Sequence, residues 1–437
     1  MAIFEVTGGK QLKGEIIPQG AKNEALQILN ACLLTADSVL VSNIPDILDV
    51  NRLMDIHRLL GVIITKESPG TFRYNAGNLH PDLMLGDEFR EAAIKLRGSI
   101  MLLGPMIARF GKGFMPKPGG DKIGRRRVDT HFFGLQNLGA ELSYDHSEYF
   151  YSVTSTGRLK GTSMLLDEPS VTGTANIIMA AVLAEGMTSI YFAACEPYIQ
   201  QLCLMLNRMG ARISGIGSNL LQIEGVKSLN GTEHRLLADM IEVGSFIGMA
   251  AMTQSSLRIR NADVAYLGQI PDVFRRLGVS LETEGNDILV RQQDVCTIQT
   301  YMDGSILTIA DNPWPGFTPD LISIVIVLAT QCKGSVLVHQ KMFESRLFFV
   351  DRLIDMGAQI ILCDPHRATV IGLARNPNLR GITMSSPDIR AGVAMLIAAL
   401  SADGISRIFN IEQIDRGYEN IETRLRKLGA KIRRIDS

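Results

Sequence analysis

The chain has 437 residues, 46% of them hydrophobic, and a formal net charge of -1. That length exceeds what one core supports, so two or more domains are expected. The near-neutral balance argues against a general nucleic-acid or membrane-surface binder, which would carry a basic excess. Six scattered cysteines form no C-x-x-C pair, and the seven histidines form no H-E-x-x-H, which argues against a disulfide frame or zinc site.

The start, MAIFEVTGGK, lacks the charged and apolar regions of a signal peptide. The most apolar runs, near 321–330 and 391–402, fall short of a membrane span, so a cytoplasmic protein is expected. Next comes QGAKNEAL, where Gly20 allows a turn and Lys22-Asn23 open an apolar helix. A lysine opposes the dipole at a helix start unless an anion sits there. The alternative is a solvated surface lysine. In EFREAAIKLRGSIMLLGPMIARFG, Asp87 is placed to cap a helix whose apolar face holds Ile94, Ile100, Met101 and Leu103. Arg97 sits among them and calls for a carboxylate or phosphate, from a side chain or from a ligand.

The loop PGGDKIGRRRVDTH follows, rich in glycine and basic residues, with Asp121 beside Arg125, Arg126 and Arg127. Such a loop can close over a polyanion. Asp121, shielded from water, would then donate a proton; as a bare Gly-Asp it is an ordinary turn. In SVTGTAN, Ser170 reads first as a helix cap and second as part of a phosphate site. In WPGFTPD, Thr318 reads as N-cap, Pro319 as first helical residue and Asp320 as a first-turn acid or a general base. DIR at 388–390 and IDRGYE near the end place Arg390 and Arg416 at polar turns.

One pattern recurs at intervals of roughly 70 residues: RLLGVII, QNLGAEL, NRMGARI, RRLGVSL, IDMGAQI and RKLGAKI. Their glycines are Gly61, Gly139, Gly210, Gly278, Gly357 and Gly429. Each reads as a helix end with a left-handed glycine, then a strand. Between them, an apolar helix leads to a further strand, as in MAAVLAEGMTSIYFAA. Six consecutive units divide into three plus three, giving two lobes with a cleft for ligands.

QGAKN, LRGSI…GPMIARFG, PGGDKIGRRRVDTH, FTPD, FESR and IDRGYE, in this order, resemble the UDP-N-acetylglucosamine 1-carboxyvinyltransferases, the enolpyruvyl transferases that open bacterial peptidoglycan synthesis. The likeness covers essentially the whole chain. It implies an α/β fold of inside-out barrel type, two lobes of three βαβαββ units each, with the active site in the interdomain cleft. Residues 22–235 would form one lobe, carrying a lid near 112–129, and residues 1–21 with 236–437 the other. It also implies phosphoenolpyruvate and UDP-N-acetylglucosamine as substrates, no cofactor and no metal. A monomer is expected.

By the same resemblance, Lys22, Asn23, Arg126 and Arg416 hold phosphoenolpyruvate. Arg97, Arg126, Arg127, Val128, Asp129, Thr130, Glu168, Pro169, Ser170, Val171, Asp320 and Met342 contact the UDP-sugar. Asp320 is the base, Asp121 the proton donor, and Arg346 and Arg390 lie near the reaction. The chain departs from the family at several positions. Asp121 stands where many members have the cysteine alkylated by fosfomycin, so fosfomycin insensitivity is expected. Arg127 replaces a usual proline, Glu168 a frequent lysine, and Met240 the arginine of D-R-I-E. The competing readings are a 3-phosphoshikimate 1-carboxyvinyltransferase and a catalytically silent regulator on the same fold.

Overall fold

The structure, a computed structural model, describes residues 2–119, 127–344 and 346–435. The six recurring glycines each end a helix and admit a strand. Leu48–Leu59 turns through Gly61 into Ile63–Ser68, and Asp129–Asn137 through Gly139 into Glu141–Asp145. Pro197–Arg208, Ile270–Arg276, Val350–Asp355 and Ile421–Lys427 do the same before Arg212–Ser214, Leu281–Glu284, Gln359–Asp364 and Lys431–Ile435. All six glycines take φ between +90° and +106°. A side chain there would be strained, so glycine is the residue that lets the chain leave the helix directly into a strand.

The fold is mixed α/β, with six separate sheets and no closed barrel among the described residues. Five sheets share one plan: a parallel pair, then two antiparallel strands. Ser163–Leu165 pairs parallel with Met187–Tyr191, and the buried helix Val171–Ala181 makes the crossover. Leu220–Glu224 and Arg212–Ser214 complete that sheet antiparallel. Ile322–Gln331 crosses likewise between Leu307–Ala310 and Lys333–His339, and Ile389–Ser401 between Thr383–Ser385 and Ile405–Phe409. The sixth sheet has three strands, Lys112–Pro116, Phe150–Thr154 and Glu141–Asp145, all antiparallel.

The units are not consecutive in sequence, which corrects the reading from spacing. Lys13–Ile16 pairs with Ser256–Ile259, while Glu233–Arg235 pairs with Val39–Ser42. Ile3–Thr7 lies between Ile405–Phe409 and Lys431–Ile435. The described residues accordingly form two compact bodies, 2–19 with 238–435 and 20–119 with 127–237.

In the first body the helices Met240–Met252, Ile322–Gln331 and Ile389–Ser401 are buried along their whole length and pack on one another. Gly244 and Gly248 allow the close approach. A Cβ on Gly248 would lie 2.3 Å from Ile324 Cγ2, and one on Gly244 2.4 Å from Leu321 Cδ1. Those contacts fix the helix start that carries Asp320. In the second body the helices Lys22–Ala31, Leu103–Phe110 and Val171–Ala181 occupy the inside. The segment around Arg97 is not one continuous helix: Asp87–Ala93 and Leu103–Phe110 are separated by a 3-10 turn, Arg97–Leu102. Gly86 takes the N-cap position expected for Asp87, and Ile94 is exposed rather than core.

Five of the six cysteines are buried, and all are free thiols. Among the described residues no helix is long and apolar enough to cross a membrane.

Candidate active site

The chain passes between the bodies at 19–20 and 237–238, and each body ties down its crossing in the same way. Leu237 N donates to Glu24 Oε2 at 3.1 Å, and Ala21 N to Leu237 O at 2.8 Å. Gln19 N donates to Glu242 Oε2 at 2.7 Å, and Asp239 N to Gln19 O at 2.8 Å. Each glutamate is third in its buried helix. Glu24 accepts from His234 Nε2 at 2.8 Å, and Glu242 receives both Nη atoms of Arg424 at 2.5 and 3.1 Å. The Gln19 amide also grips the turn after Arg416: Nε2 donates to Gly417 O at 2.8 Å, and Oε1 accepts from Glu419 N at 2.7 Å. Lys22 and Arg416 thus stand on clamped backbone.

In the body containing residues 238–435, Asp320 sits where its motif implied. Thr318 caps the short helix Pro319–Leu321, its Oγ1 accepting from Asp320 N. The sequence did not reveal what surrounds it. Arg346 Nη2 lies 2.6 Å from Asp320 Oδ1, and Arg390 Nη2 3.0 Å from Oδ2. Burial pushes the Asp320 carboxyl up, but the Arg390 and Arg346 charges and their hydrogen bonds outweigh it, and the group is held well below the usual carboxylate range. Arg390 also donates to Tyr418 Oη at 3.4 Å, and that hydroxyl pairs with Ser245 Oγ at 2.9 Å. Burial drives Tyr418 up to about 12, so it stays a neutral phenol.

The turn bearing Met342 and Arg346 hangs on a residue that sequence reasoning missed. Asp311, fully buried, accepts from Gln340 Nε2, Lys341 N and Met342 N. Arg416 is buried and donates to Gln413 Oε1 at 2.8 Å.

In the body containing residues 20–119 and 127–237, Lys22 opens its helix with a carboxylate beside it: Nζ lies 2.7 Å from Asp49 Oδ2. The solvated-surface alternative is therefore wrong, since Lys22 is 7% exposed. Asn23 shares its first turn and is partly exposed. Arg97 Nη2 donates to the Arg127 carbonyl at 2.8 Å, which fixes the strand of chain leading to Val128 and Asp129. Thr130 Oγ1 donates to Asp167 Oδ1 at 2.7 Å. Ser170 caps Val171–Ala181, accepting from Gly173 N.

His131, which sequence reasoning did not select, joins these pieces. Asn176 Oδ1 accepts from Gly104 N, which turns its Nδ2 toward His131 Nδ1 at 3.0 Å. The other ring nitrogen therefore carries the proton and donates to Thr172 Oγ1 at 3.1 Å. Burial, aided by the Arg97 charge, lowers His131 to about 3, so the ring is neutral. Glu168 and Arg127 are exposed, and Pro169 is partly exposed. Burial and the neighbouring Asp167 raise the Glu168 carboxyl, while the Arg127 charge opposes them. Asp121 and Arg126 lie outside the described residues.

A sequence profile for EPSP synthase (3-phosphoshikimate 1-carboxyvinyltransferase) matches residues 6–425. The chain belongs to this enolpyruvyl transferase family. Within it, the chain is 64% identical over 435 residues to a Bacteroides fragilis protein named UDP-N-acetylglucosamine 1-carboxyvinyltransferase, covering 100% of both chains. A Porphyromonas gingivalis protein of the same name is 62% identical, again over 100% of both. One from Borreliella burgdorferi is 48% identical over 437 residues, with the same full coverage. Among solved structures, the enolpyruvyl transferase NikO from Streptomyces tendae superposes with a TM-score of 0.86 at 20% identity, covering 100% of this chain and 99% of that one. EPSP synthase from Acinetobacter baumannii gives 0.74 at 17%, with 100% of both covered. These two establish the fold of this enolpyruvyl transferase and nothing finer.

Proposed function

We propose that this enolpyruvyl transferase moves the enolpyruvyl group of phosphoenolpyruvate to the 3′-hydroxyl of UDP-N-acetylglucosamine, releasing phosphate, as the first committed step of peptidoglycan synthesis. The full-length 64% identity to relatives of that name carries the reading. The 3-phosphoshikimate reaction is not favoured: the structures bearing the EPSP synthase name are 17% identical.

The reaction is an addition followed by an elimination. The sugar hydroxyl bonds to C2 of phosphoenolpyruvate while C3 takes a proton; then phosphate leaves and C3 gives a proton back. Asp121 supplies the first proton. Lys22, Asn23, Arg126 and Arg416 hold the phosphate. Arg97, Arg127, Val128, Asp129, Thr130 and the 168–171 segment hold the nucleotide, with Met342 beside the sugar.

Asp320 accepts the hydroxyl proton. Clamped by Arg346 and Arg390 it is a weak base, since its carboxyl is held low. The carboxylate of phosphoenolpyruvate is the natural competitor for those guanidiniums, as Arg pairs carboxylates bidentately. Drawing either arginine off Asp320 raises its basicity as the substrate arrives. Asp320→Asn tests this role: it should leave phosphoenolpyruvate binding measurable by calorimetry while turnover drops by about 10²–10⁴-fold. Turnover within a few-fold of the unaltered protein would remove Asp320 from the chemistry.

A further inference from the structure

Two buried thiols, Cys296 and Cys332, have no part in this chemistry. Thr297 and Lys333 form a parallel bridge. Lys333 N donates to Cys296 O at 2.8 Å, and Ile298 N to Lys333 O at 2.9 Å. Cys296 and Cys332 are therefore the next pair along the same ladder. Neighbouring strands lie about 4.8 Å apart, inside the roughly 4.4–6.8 Å Cα window of a disulfide. Cys296 is 6% exposed and Cys332 1%.

Cys332 Sγ donates to Leu328 O at 3.2 Å, and Cys296 Sγ lies 3.8 Å from Gln293 Oε1. The neighbouring Cys332 thiol lowers Cys296 against burial, while Cys296 and burial raise Cys332. Of the two, Cys296 gives up its proton the more readily. A guanidinium stands by: Ala374 N donates to Cys332 O at 2.9 Å, and the adjacent Arg375 is anchored on Ala251 O and Met252 O at 3.0 and 2.8 Å. Its charge favours the thiolate at both sulfurs. The other buried thiols differ. Burial pushes Cys203 up to about 12 and Cys32 higher still, and Cys195 also moves up.

We propose that Cys296 and Cys332 form a peroxide-oxidisable dithiol that closes to an intrachain disulfide. The Cys296 thiolate attacks one peroxide oxygen; the S–O bond forms, the O–O bond breaks, and water leaves after protonation. The Cys332 sulfur then attacks the sulfenic acid; the S–S bond forms, the S–O bond breaks, and a second water leaves. Two thiols lose two electrons and one hydrogen peroxide gains them. Exogenous dithiol reverses the link by exchange.

The test uses the whole folded chain in a Cys363→Ser background, which removes the exposed thiol. After hydrogen peroxide treatment the protein is denatured, alkylated and analysed by mass spectrometry. The expected result is loss of two hydrogens in intact mass, with the Cys296 and Cys332 peptides joined and Cys32 and Cys203 still alkylated. In Cys332→Ser, dimedone should trap a sulfenic acid at Cys296; in Cys296→Ser, Cys332 should remain alkylatable. Native protein whose Cys296 and Cys332 both stay alkylatable, at peroxide that fully oxidises Cys363 in the unaltered chain, overturns the proposal. So does oxidation of Cys32 or Cys203 as fast as Cys296.

Discussion

Asp320→Asn has a second consequence, for stability, that can be worked from the structure. The carboxylate sits between two guanidiniums at 2.6 and 3.0 Å, and the Arg346 and Arg390 side chains are only 11% and 9% exposed. With charge centres about 4 Å apart and an effective dielectric of about 20, each contact is worth about 4 kcal/mol before desolvation is counted. Removing one partner of a buried pair typically costs about 3–5 kcal/mol. Asp320 is 18% exposed, and an asparagine oxygen keeps one hydrogen bond, so about 3 kcal/mol is expected. A urea slope of about 2–3 kcal/mol/M turns this into a midpoint lower by about 1–1.5 M. The chain's single tryptophan, Trp314, lies six residues before Asp320 and reports that body by fluorescence. Because the carboxyl is held low, its contribution is complete above about pH 5 and fades as pH falls below about 4, so the gap between the two proteins should narrow by up to about 1.4 kcal/mol for each further pH unit. Inorganic phosphate should restore more stability to the variant than to the unaltered protein. An unchanged or higher midpoint at pH 7, or a gap that does not shrink in acid, would show that the two guanidiniums do not hold Asp320 as a stabilising carboxylate.

Fosfomycin should leave the protein unmodified, since a carboxylate opens an epoxide far more slowly than a thiolate, and Asp121→Cys should gain an adduct; an adduct on Asp121 by mass spectrometry would contradict this. Gly357→Ala should cost about 1–2 kcal/mol for its left-handed backbone alone, because a Cβ there meets nothing within 4 Å. Gly61→Ala should cost more in the same denaturation assay, because its Cβ would sit 2.3 Å from Asn78 O. His57, His131 and His234 are kept neutral, at about 3, 3 and 4, by burial first. The unfolded chain therefore takes up protons that the folded chain refuses, and stability should fall as pH drops from about 6.5, by at most about 1.4 kcal/mol per pH unit per histidine. Urea midpoints that are flat from pH 7 to 5 would count against it.

The helix ends were legible because each requires a residue with positive φ, and glycine at that point leaves a mark in the sequence. Strand partnership was not. Lys13–Ile16 and Glu233–Arg235 are short, ordinary segments whose parallel partners lie 243 and 193 residues away. Nothing local in either says which edge it joins. The site divides in the same way. Thr318-Pro319-Asp320 announces its own cap geometry through residues in sequence. The closure of Arg346 and Arg390 on that carboxylate, the Lys22–Asp49 pair and the His131–Asn176 link depend on contacts between distant segments. Asp311 gave no signal at all, since its partners are mostly backbone N–H groups. The crossings could have been noticed: Glu24 and Glu242 both stand three residues into apolar helices, in GAKNE and ADMIE.

The most direct test of the account is phosphate release from phosphoenolpyruvate with UDP-N-acetylglucosamine or shikimate 3-phosphate as the acceptor. Phosphate should be released with the UDP-sugar alone, and that release should be lost in Asp320→Asn. Release with shikimate 3-phosphate alone would contradict the assigned acceptor while leaving the fold and the arginine-clamped carboxylate in place.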